Sequence, residues 1–456
     1  MKRAAVVLLL VASVPACANL VDERLGAGIG ATCEADDQCQ GSSCLDGICT
    51  MQCGDDNGCP GGTVCSKGIC ELPMRVGYIY PYPVGGDDVA KAVDLGRVDA
   101  EAELQYVSSD AVENKPDGPA ATDAAQDFVN AGHNVIVATA PEQAPTFVAF
   151  AQQNSNVSVL VMSSYNAGGN VTSLEPRMYQ AYYLAGYAAA KTSSLMPPRL
   201  GMIGSVAIPS VVARINAFAL GAQRALKTSG MQATIEVRWL GDWHDRLPPV
   251  GVDTREVVLT RDLLTNGADV IAHTLDNNIP LDALPRIAME DGLEGHAIAA
   301  NLAAACVAGD APEVAARCIG SAFYNWWPVL SRAFSDIQRE NGGGHLMMGL
   351  VPSADASAVG FQLGQAAPTG IAGELDAIRA ELAAVEGVGP VFAGPLTSNA
   401  CPMMENPCVP MGETLTDDEL RRMCWFVSGV GLVERDEVGT DLEAVVPPSC
   451  GDLLLQ

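Results

Sequence analysis

Eight cysteines fall between Cys33 and Cys70, in two runs that repeat almost in register. The first reads Cys33-x5-Cys39-x4-Cys44-x4-Cys49 and the second Cys53-x5-Cys59-x5-Cys65-x4-Cys70. Each run carries an Asp pair before its second cysteine and ends in Gly-Ile-Cys. About 40 residues cannot bury enough apolar surface to hold a fold, so residues 33–71 are expected to be a module held by four disulfides. Zinc is the competing reading of dense cysteines, but no Cys-x2-Cys pair or nearby His supports it. The Asp pairs read as solvated acidic turns, with calcium binding as the alternative.

Disulfides require an oxidising compartment, and the N-terminus agrees. Lys2 and Arg3 precede an apolar run, Ala4–Val14, of signal-peptide length and too short to span a membrane. The run closes on Val14-Pro15-Ala16-Cys17, which resembles a bacterial lipobox. On that reading residues 1–17 are a lipoprotein signal peptide, and Cys17 takes lipid and becomes the mature N-terminus. Ordinary cleavage near Ala16 or Ala18 is the alternative. Each buried CH₂ of an acyl chain contributes about 0.8 kcal/mol to anchoring. Residues 18–32 read as a flexible tether, and its Gly26–Ala31 run follows no strand that would make it a phosphate loop. No later stretch approaches the roughly 18 unbroken apolar residues of a spanning helix. With Cys17 set aside, fourteen cysteines remain, an even number. Six lie beyond the module: Cys306, Cys318, Cys401, Cys408, Cys424 and Cys450. Proximity favours Cys306–Cys318, Cys401–Cys408 and Cys424–Cys450, and other pairings stay open.

The rest of the chain is built for large cores. Of its 456 residues 48% are apolar and 18% charged, which implies two or three domains. Acidic residues outnumber basic ones 54 to 26, a formal charge of −28, so nucleic acid and anionic lipid head groups are excluded as partners. Five histidines argue against a His-rich metal enzyme. No Gly-x-Ser-x-Gly elbow, His-Glu-x-x-His helix or Walker A loop is present, and neither a metal nor a cofactor is expected.

From Met74 short apolar runs alternate with helical patterns. The runs begin at Arg75–Tyr80 and recur at Asn134–Ala138, Ser158–Met162, Leu200–Ile203, Ala233–Trp239, Asp269–Ala272, His296–Ala299 and His345–Val351. Between them Pro209–Leu226 is the clearest helix, with Val211, Val212, Ile215, Phe218, Ala219, Ala222 and Leu226 on one face. The alternation predicts an α/β fold with parallel sheets. One echo divides it in two: Phe128–Thr139 (FVNAGHNVIVAT) parallels Leu263–Thr274 (LLTNGADVIAHT). Two similar lobes would face each other across a cleft lined by loops at the carboxyl ends of their strands.

Three passages carry a family resemblance. They are RLGMIGSVAIPSVVARINAFALGAQ (Arg199–Gln223), GADVIAHTLDN (Gly267–Asn277) and the long stretch Val391–Val430 with its GETLTDDEL segment (Gly412–Leu420). With YYLAG (Tyr182–Gly186) and YNWWP (Tyr324–Pro328), they resemble the basic membrane protein family of lipid-anchored ABC-importer receptors, of the purine nucleoside type. The resemblance runs from about Met74 to Val433. It implies a type I periplasmic-binding-protein fold over 74–435, two doubly wound lobes joined by three crossovers. These are expected near Met196, Ser321 and Gly394. Lobe 1 would then hold 74–196 and 322–394, and lobe 2 would hold 197–321 and 395–435, with a tail at 436–456.

The resemblance also implies a ligand set. Asp87 and Asp88 occupy the first strand–helix turn, where Val89 stands in the family's aromatic position. Thr139 opens the second loop, and Ala140-Pro141 follow where an aromatic is frequent. Trp243 matches an aromatic–acid loop, and a lobe-core tryptophan is its alternative. Asp276 matches a His-Thr-Asp loop with one residue inserted and could accept a ribose hydroxyl or base N–H. Asn301, Tyr324, Asn325 and Trp326 match further family positions, and packing near a crossover is the alternative for the last three. His273 reads as a strand-end histidine rather than a metal ligand. The leading expectation is a receptor in the bacterial envelope, held by a lipid anchor, that closes on a purine nucleoside, base or related small solute for an ABC permease, without catalysis. The alternative is an envelope interaction or sensory lipoprotein whose α/β domain has lost its ligand.

Overall fold

Both cysteine repeats fold by the same local rules. The computed structural model describes residues 31, 33–39, 42–45, 47–60, 62–162, 167–245, 252–307, 311–339, 342–385, 387–398 and 407–432. Each repeat opens with a tight helical turn, Asp36–Gln38 or Asp56–Gly58, and ends in a two-stranded antiparallel hairpin. The hairpins are β1 (Ser43–Leu45) with β2 (Ile48–Thr50), and β3 (Val64–Ser66) with β4 (Ile69–Glu71). Within each repeat the first cysteine bonds the third and the second bonds the fourth: Cys33–Cys44 and Cys39–Cys49, then Cys53–Cys65 and Cys59–Cys70. The repeated Gly-Ile-Cys has a backbone cause, since Gly47 and Gly68 sit at φ of 82° and 85° in the hairpin turns. The Asp pairs are structural at one member each: Asp36 accepts the Cys44 N–H at 2.6 Å and Asp56 accepts the Cys65 N–H at 2.8 Å. The expected signal peptide, Cys17, almost all of the expected tether and the expected C-terminal tail lie outside the described residues.

From Pro73 a separate α/β unit begins. Its elements run β5 (Met74–Ile79), α1 (Asp88–Glu103), β6 (Val107–Val112), α2 (Pro119–Asn130), β7 (Val135–Ala138), α3 (Ala144–Gln153), β8 (Ser158–Met162) and β9 (Val171–Pro176). Then come α4 (Met178–Thr192), β10 (Arg199–Gly204), α5 (Pro209–Leu226), β11 (Thr234–Trp239), α6 (Arg255–Thr265), β12 (Val270–His273), α7 (Ile279–Asp291) and β13 (His296–Asn301). The order closes with α8 (Pro312–Ala315), β14 (Cys318–Tyr324), α9 (Trp326–Gln338), β15 (Gly344–Met348), β16 (Val359–Leu363), α10 (Ile371–Ala383), α11 (Asp417–Leu420) and β17 (Val430–Leu432). Lobe 1 is a parallel six-stranded sheet in the order β15-β9-β8-β7-β5-β6. Lobe 2 is a seven-stranded sheet, β16-β14-β13-β12-β10-β11-β17, in which only β16 runs antiparallel. Central strands such as β7 and β12 are buried throughout, as parallel sheets covered on both faces require. Among the described residues no helix is long and apolar enough to cross a membrane.

The sequence echo is structural. Strand β7 pairs with β5 as β12 pairs with β10, and the preceding helices α2 and α6 end alike. Gly132 and Gly267 take φ of 89° and 88°, and the next N–H bonds back to Phe128 O and Leu263 O at 3.0 Å. Each is a left-handed glycine cap that turns helix into buried strand.

Three crossovers join the lobes, and two lie away from their expected places. The chain leaves lobe 1 at Arg177, returns at Asn325 and leaves again within 349–358. The sequence reading puts α4 in lobe 1 and a crossover near Met196; instead α4 is buried with Leu200, Val211 and Phe218 in the lobe 2 core. It also carries lobe 1 on to Gly394, whereas β16, α10 and Phe392 belong to lobe 2. The Met196–Pro197 and Gly394–Pro395 peptide bonds, at those two expected places, are cis. Cys306 and Cys318 are bonded as expected. Cys408 and Cys424 are each in a disulfide, while Cys401 and Cys450 lie outside the described residues.

Helices α4 and α5 cross at backbone distance. A Cβ on Gly186, from the YYLAG passage, would lie 1.9 Å from Phe218 O, and one on Gly221 would lie 2.0 Å from Tyr183 O. Gly186→Val is therefore expected to destabilise the protein by about 3 kcal/mol or more, measured by denaturant unfolding. An unchanged midpoint would show that the helices can separate freely.

His273 ends β12 with its ring fully buried, its Nδ1 accepting the Leu275 N–H at 3.3 Å. Burial pushes its pKa down to about 4. The unfolded chain binds this proton from about pH 6.5 downward, so stability falls as pH drops from about 6.5 to about 4. The loss reaches about 3 kcal/mol. Urea unfolding of His273→Asn against wild type should show this slope disappear, and equal slopes would assign the acid sensitivity elsewhere.

Candidate functional site

Parallel strands end at one edge of each lobe, and the two edges face each other. The loops after β5, β7, β11 and β12 and the start of α5 enclose a cavity of about 650 Å³, counting the space open to solvent. Six of the sequence-derived residues line it: Asp87, Thr139, Trp243, Asp276, Tyr324 and Trp326.

Each is held by a local device. Asp87 is the N-cap of α1 and accepts the Ala90 N–H at 2.8 Å. Thr139 donates its hydroxyl to Ile79 O at 2.9 Å, tying β7 to β5. Trp243 packs against the lobe 2 core while its backbone oxygen accepts the Asp276 N–H at 3.0 Å, so both readings of this tryptophan are partly met. Tyr324 and Trp326 stack at 5.5 Å between ring centres. Trp326 sits directly on α1, where a Cβ on Gly96 would come within 2.4 Å of it. Its indole N–H is buried and, among the described residues, has no partner.

The other three expected residues stand off the cavity. Asp88 bonds across the lobes: its N–H donates to Asp276 O at 2.8 Å, and its carboxylate accepts from Asn278 Nδ2 at 2.8 Å. Asn301, at φ 72°, donates to Leu275 O at 2.7 Å and steadies the β12 loop. Asn325 donates to Asp355 O and Ser357 O at 3.1 Å and binds the second crossover to the third.

Sequence reading missed Tyr82, Glu142 and Arg214, which also line the cavity, and His244 beside it. Arg214 donates to the Tyr324 hydroxyl at 2.7 Å. Its signal was available, since it is the one charged residue in the first three turns of α5. Tyr82 supplies a first-lobe aromatic ring where Val89 and Ala140-Pro141 do not, and it meets His244 edge to face at 5.3 Å.

The site is acidic. Burial raises the carboxyl pKa of Asp87 and Asp88. Asp276 is pushed well above the usual carboxylate range, first by burial and then by Asp87 and Glu142. Aromatic faces with carboxylates around them suit a flat ring bearing N–H or O–H donors.

Comparison with known proteins gives this geometry a context. The model of a family described as ABC transporter substrate-binding protein, PnrA-like, matches residues 75–356. A purine-binding protein of Brucella abortus is 26% identical over 233 residues, 51% of this chain and 62% of that protein. A Haloferax volcanii protein assigned by name as an ABC transporter glucose-binding protein is 32% identical over 115 residues, 25% of this chain and 26% of that protein. The matches thus span less than two thirds of those curated relatives. A solved ABC-transporter solute-binding protein of Conexibacter woesei shares the fold at a TM-score of 0.50 and 18% identity, covering 68% of this chain and 96% of that one.

Two Asp88 bonds join the lobes, and the side-chain one, from Asn278, is lost in an alanine variant. Asp88→Ala should weaken the closed form by about 10-fold or more, the worth of a hydrogen bond to a charged acceptor. Small-angle scattering would then show a larger radius of gyration for the variant, and an unchanged radius would remove Asp88 from the closure.

Proposed function

The chain belongs to the PnrA-like family of ABC transporter substrate-binding proteins, and from that premise we propose that it is an importer receptor that closes on a purine base or nucleoside. The observation that carries the reading is the pairing, in one cavity, of aromatic rings (Tyr82, Trp243 and the Tyr324–Trp326 stack) with the carboxylates of Asp87, Glu142 and Asp276. Stacking on such rings is worth about 1–3 kcal/mol per base and needs no particular base identity. Asp276 accepts a ring N–H or a ribose hydroxyl, the unpartnered Trp326 N–H donates to a ring nitrogen or carbonyl, and hinge closure removes water. The purine-binding relative in Brucella abortus supports this solute class.

The carboxylates also set a limit. An acidic cavity in a chain of net charge −28 disfavours phosphate, so the solute is the dephosphorylated form. In this reading Cys17 carries the lipid, the receptor stands at the outer face of a bacterial membrane, and a permease takes the solute from it. The envelope-interaction alternative rested on missing first-lobe aromatics, and Tyr82 supplies one.

Thermal unfolding against nucleosides, bases, sugars and nucleotides tests the reading. A ligand at 100 times its dissociation constant stabilises by about 2.7 kcal/mol. Adenosine, inosine or a free purine should raise the melting temperature, and AMP should not. Trp243→Ala and Asp276→Asn should each weaken binding by about 10- to 100-fold. A shift with glucose alone would replace the purine, and no shift with any solute would overturn the receptor reading.

A further inference from the structure

One group at the seam between the lobes exceeds what a stacked solute needs. Asp87 from lobe 1 and His244 and Asp276 from lobe 2 each offer one ligand atom, all within 4.8 Å of one another. Two of the three are acids that face each other across the seam, and the cation that lines the cavity, Arg214, gives its hydrogen bond to Tyr324 and reaches Asp276 only through its field. The third is an imidazole whose Nδ1 is buried and has no hydrogen-bond partner among the described residues. A buried lone pair or N–H left in that state is destabilising, and a ligand removes the cost.

We infer that Asp87, His244 and Asp276 form a site for a divalent transition-metal ion, of the zinc or manganese class, that is assembled only when the lobes close. Donor chemistry selects the class. One imidazole nitrogen with two carboxylate oxygens suits Zn²⁺, Mn²⁺ or Co²⁺, whereas Ca²⁺ takes six to eight oxygens and Mg²⁺ avoids imidazole. An organic ammonium group would be served by the carboxylates alone; the nitrogen placed with them favours a metal. Three protein ligands leave coordination positions open, for water or for a donor atom of the solute.

The position gives the ion a function. Its ligands come from both lobes, so the open form offers only half-sites. An ion that binds the closed form alone shifts the equilibrium toward it, and by linkage it raises the affinity of any solute that also requires closure. Histidines elsewhere do not match this arrangement. His133 is bonded to Asp110 at 2.8 Å, and His345 to Glu175, which Arg421 also faces.

The test uses the full chain with its disulfides intact, stripped with EDTA and dialysed. Titration calorimetry with ZnCl₂ and MnCl₂ should give one equivalent bound, and small-angle scattering should show the radius of gyration fall on addition. His244→Gln and Asp87→Asn should each weaken binding at least 10-fold; Asn keeps the helix cap, so the second variant folds as wild type does. His133→Gln and His345→Gln should change nothing. Absence of binding, binding that survives His244→Gln, or binding without contraction overturns the inference. So does a response to tetramethylammonium or spermidine with none to metal. Nucleoside binding by the stripped protein together with no metal binding would sink this site and leave the receptor standing. Metal binding with no nucleoside response would do the reverse.

Discussion

Closing this cleft brings carboxylates from opposite lobes together and away from water. Asp87 and Asp276 are both held above their ordinary pKa by burial, and Asp87 adds to the shift on Asp276. The bonds that offset this repulsion come from the neighbouring positions. Asp88 donates to the Asp276 backbone oxygen and accepts from Asn278, while Tyr82 packs its ring on His244. Attraction and repulsion therefore act side by side, where the loop that leads into α1 meets the loops after β11 and β12. Such a seam is finely balanced. Whatever enters it and offers hydrogen-bond donors or positive charge tips it toward closure, which is the behaviour a solute receptor needs.

Bending is confined by the way the crossovers bond to one another. Arg177, at the first crossover, receives its place from Met348 O, which accepts its N–H at 2.7 Å beside the third. Its guanidinium grips both oxygens of Asp417. Asn325, at the second crossover, donates its backbone N–H to Ala358 O at 2.9 Å and its side chain to two more carbonyls of the third. Near them Arg421 bonds Asp418 and faces Glu175 at 3.6 Å. Three strands of chain so joined form one bonded connection between lobes that each keep their own core.

Much of this was readable from periodicity. The apolar runs of β5, β7, β8, β10 to β13 and β15 stood out, and α5 buries the apolar face its spacing marks. Strands β6 and β9 were missed because they are polar: β6 is a sheet edge reading VSSDAV, and β9 reads VTSLEP. Strand β14 is central, but its Cys-Ile-Gly-Ser-Ala run is too small and mixed to look like one. The crossovers were placed from the family resemblance, and its short passages do not say which lobe the helix between them will join. That choice is made by Gly186 and Gly221, whose missing side chains let α4 lie on α5.

Site residues followed the same division. Asp87, Thr139 and Asp276 were legible because the family resemblance marks their positions, and those positions lie in strand-end loops that line the cavity. Asn301 and Asn325 satisfied the same positional argument and still point elsewhere, because each amide spends its hydrogens on backbone carbonyls that hold loops in place. His244 was invisible for a deeper reason. Its significance lies in meeting Asp87, which belongs to the other lobe, and no spacing along the chain encodes a contact that exists only after closure. Along the chain it is an ordinary loop histidine, and only the meeting of the two lobes makes it one of three ligand atoms within 4.8 Å of one another.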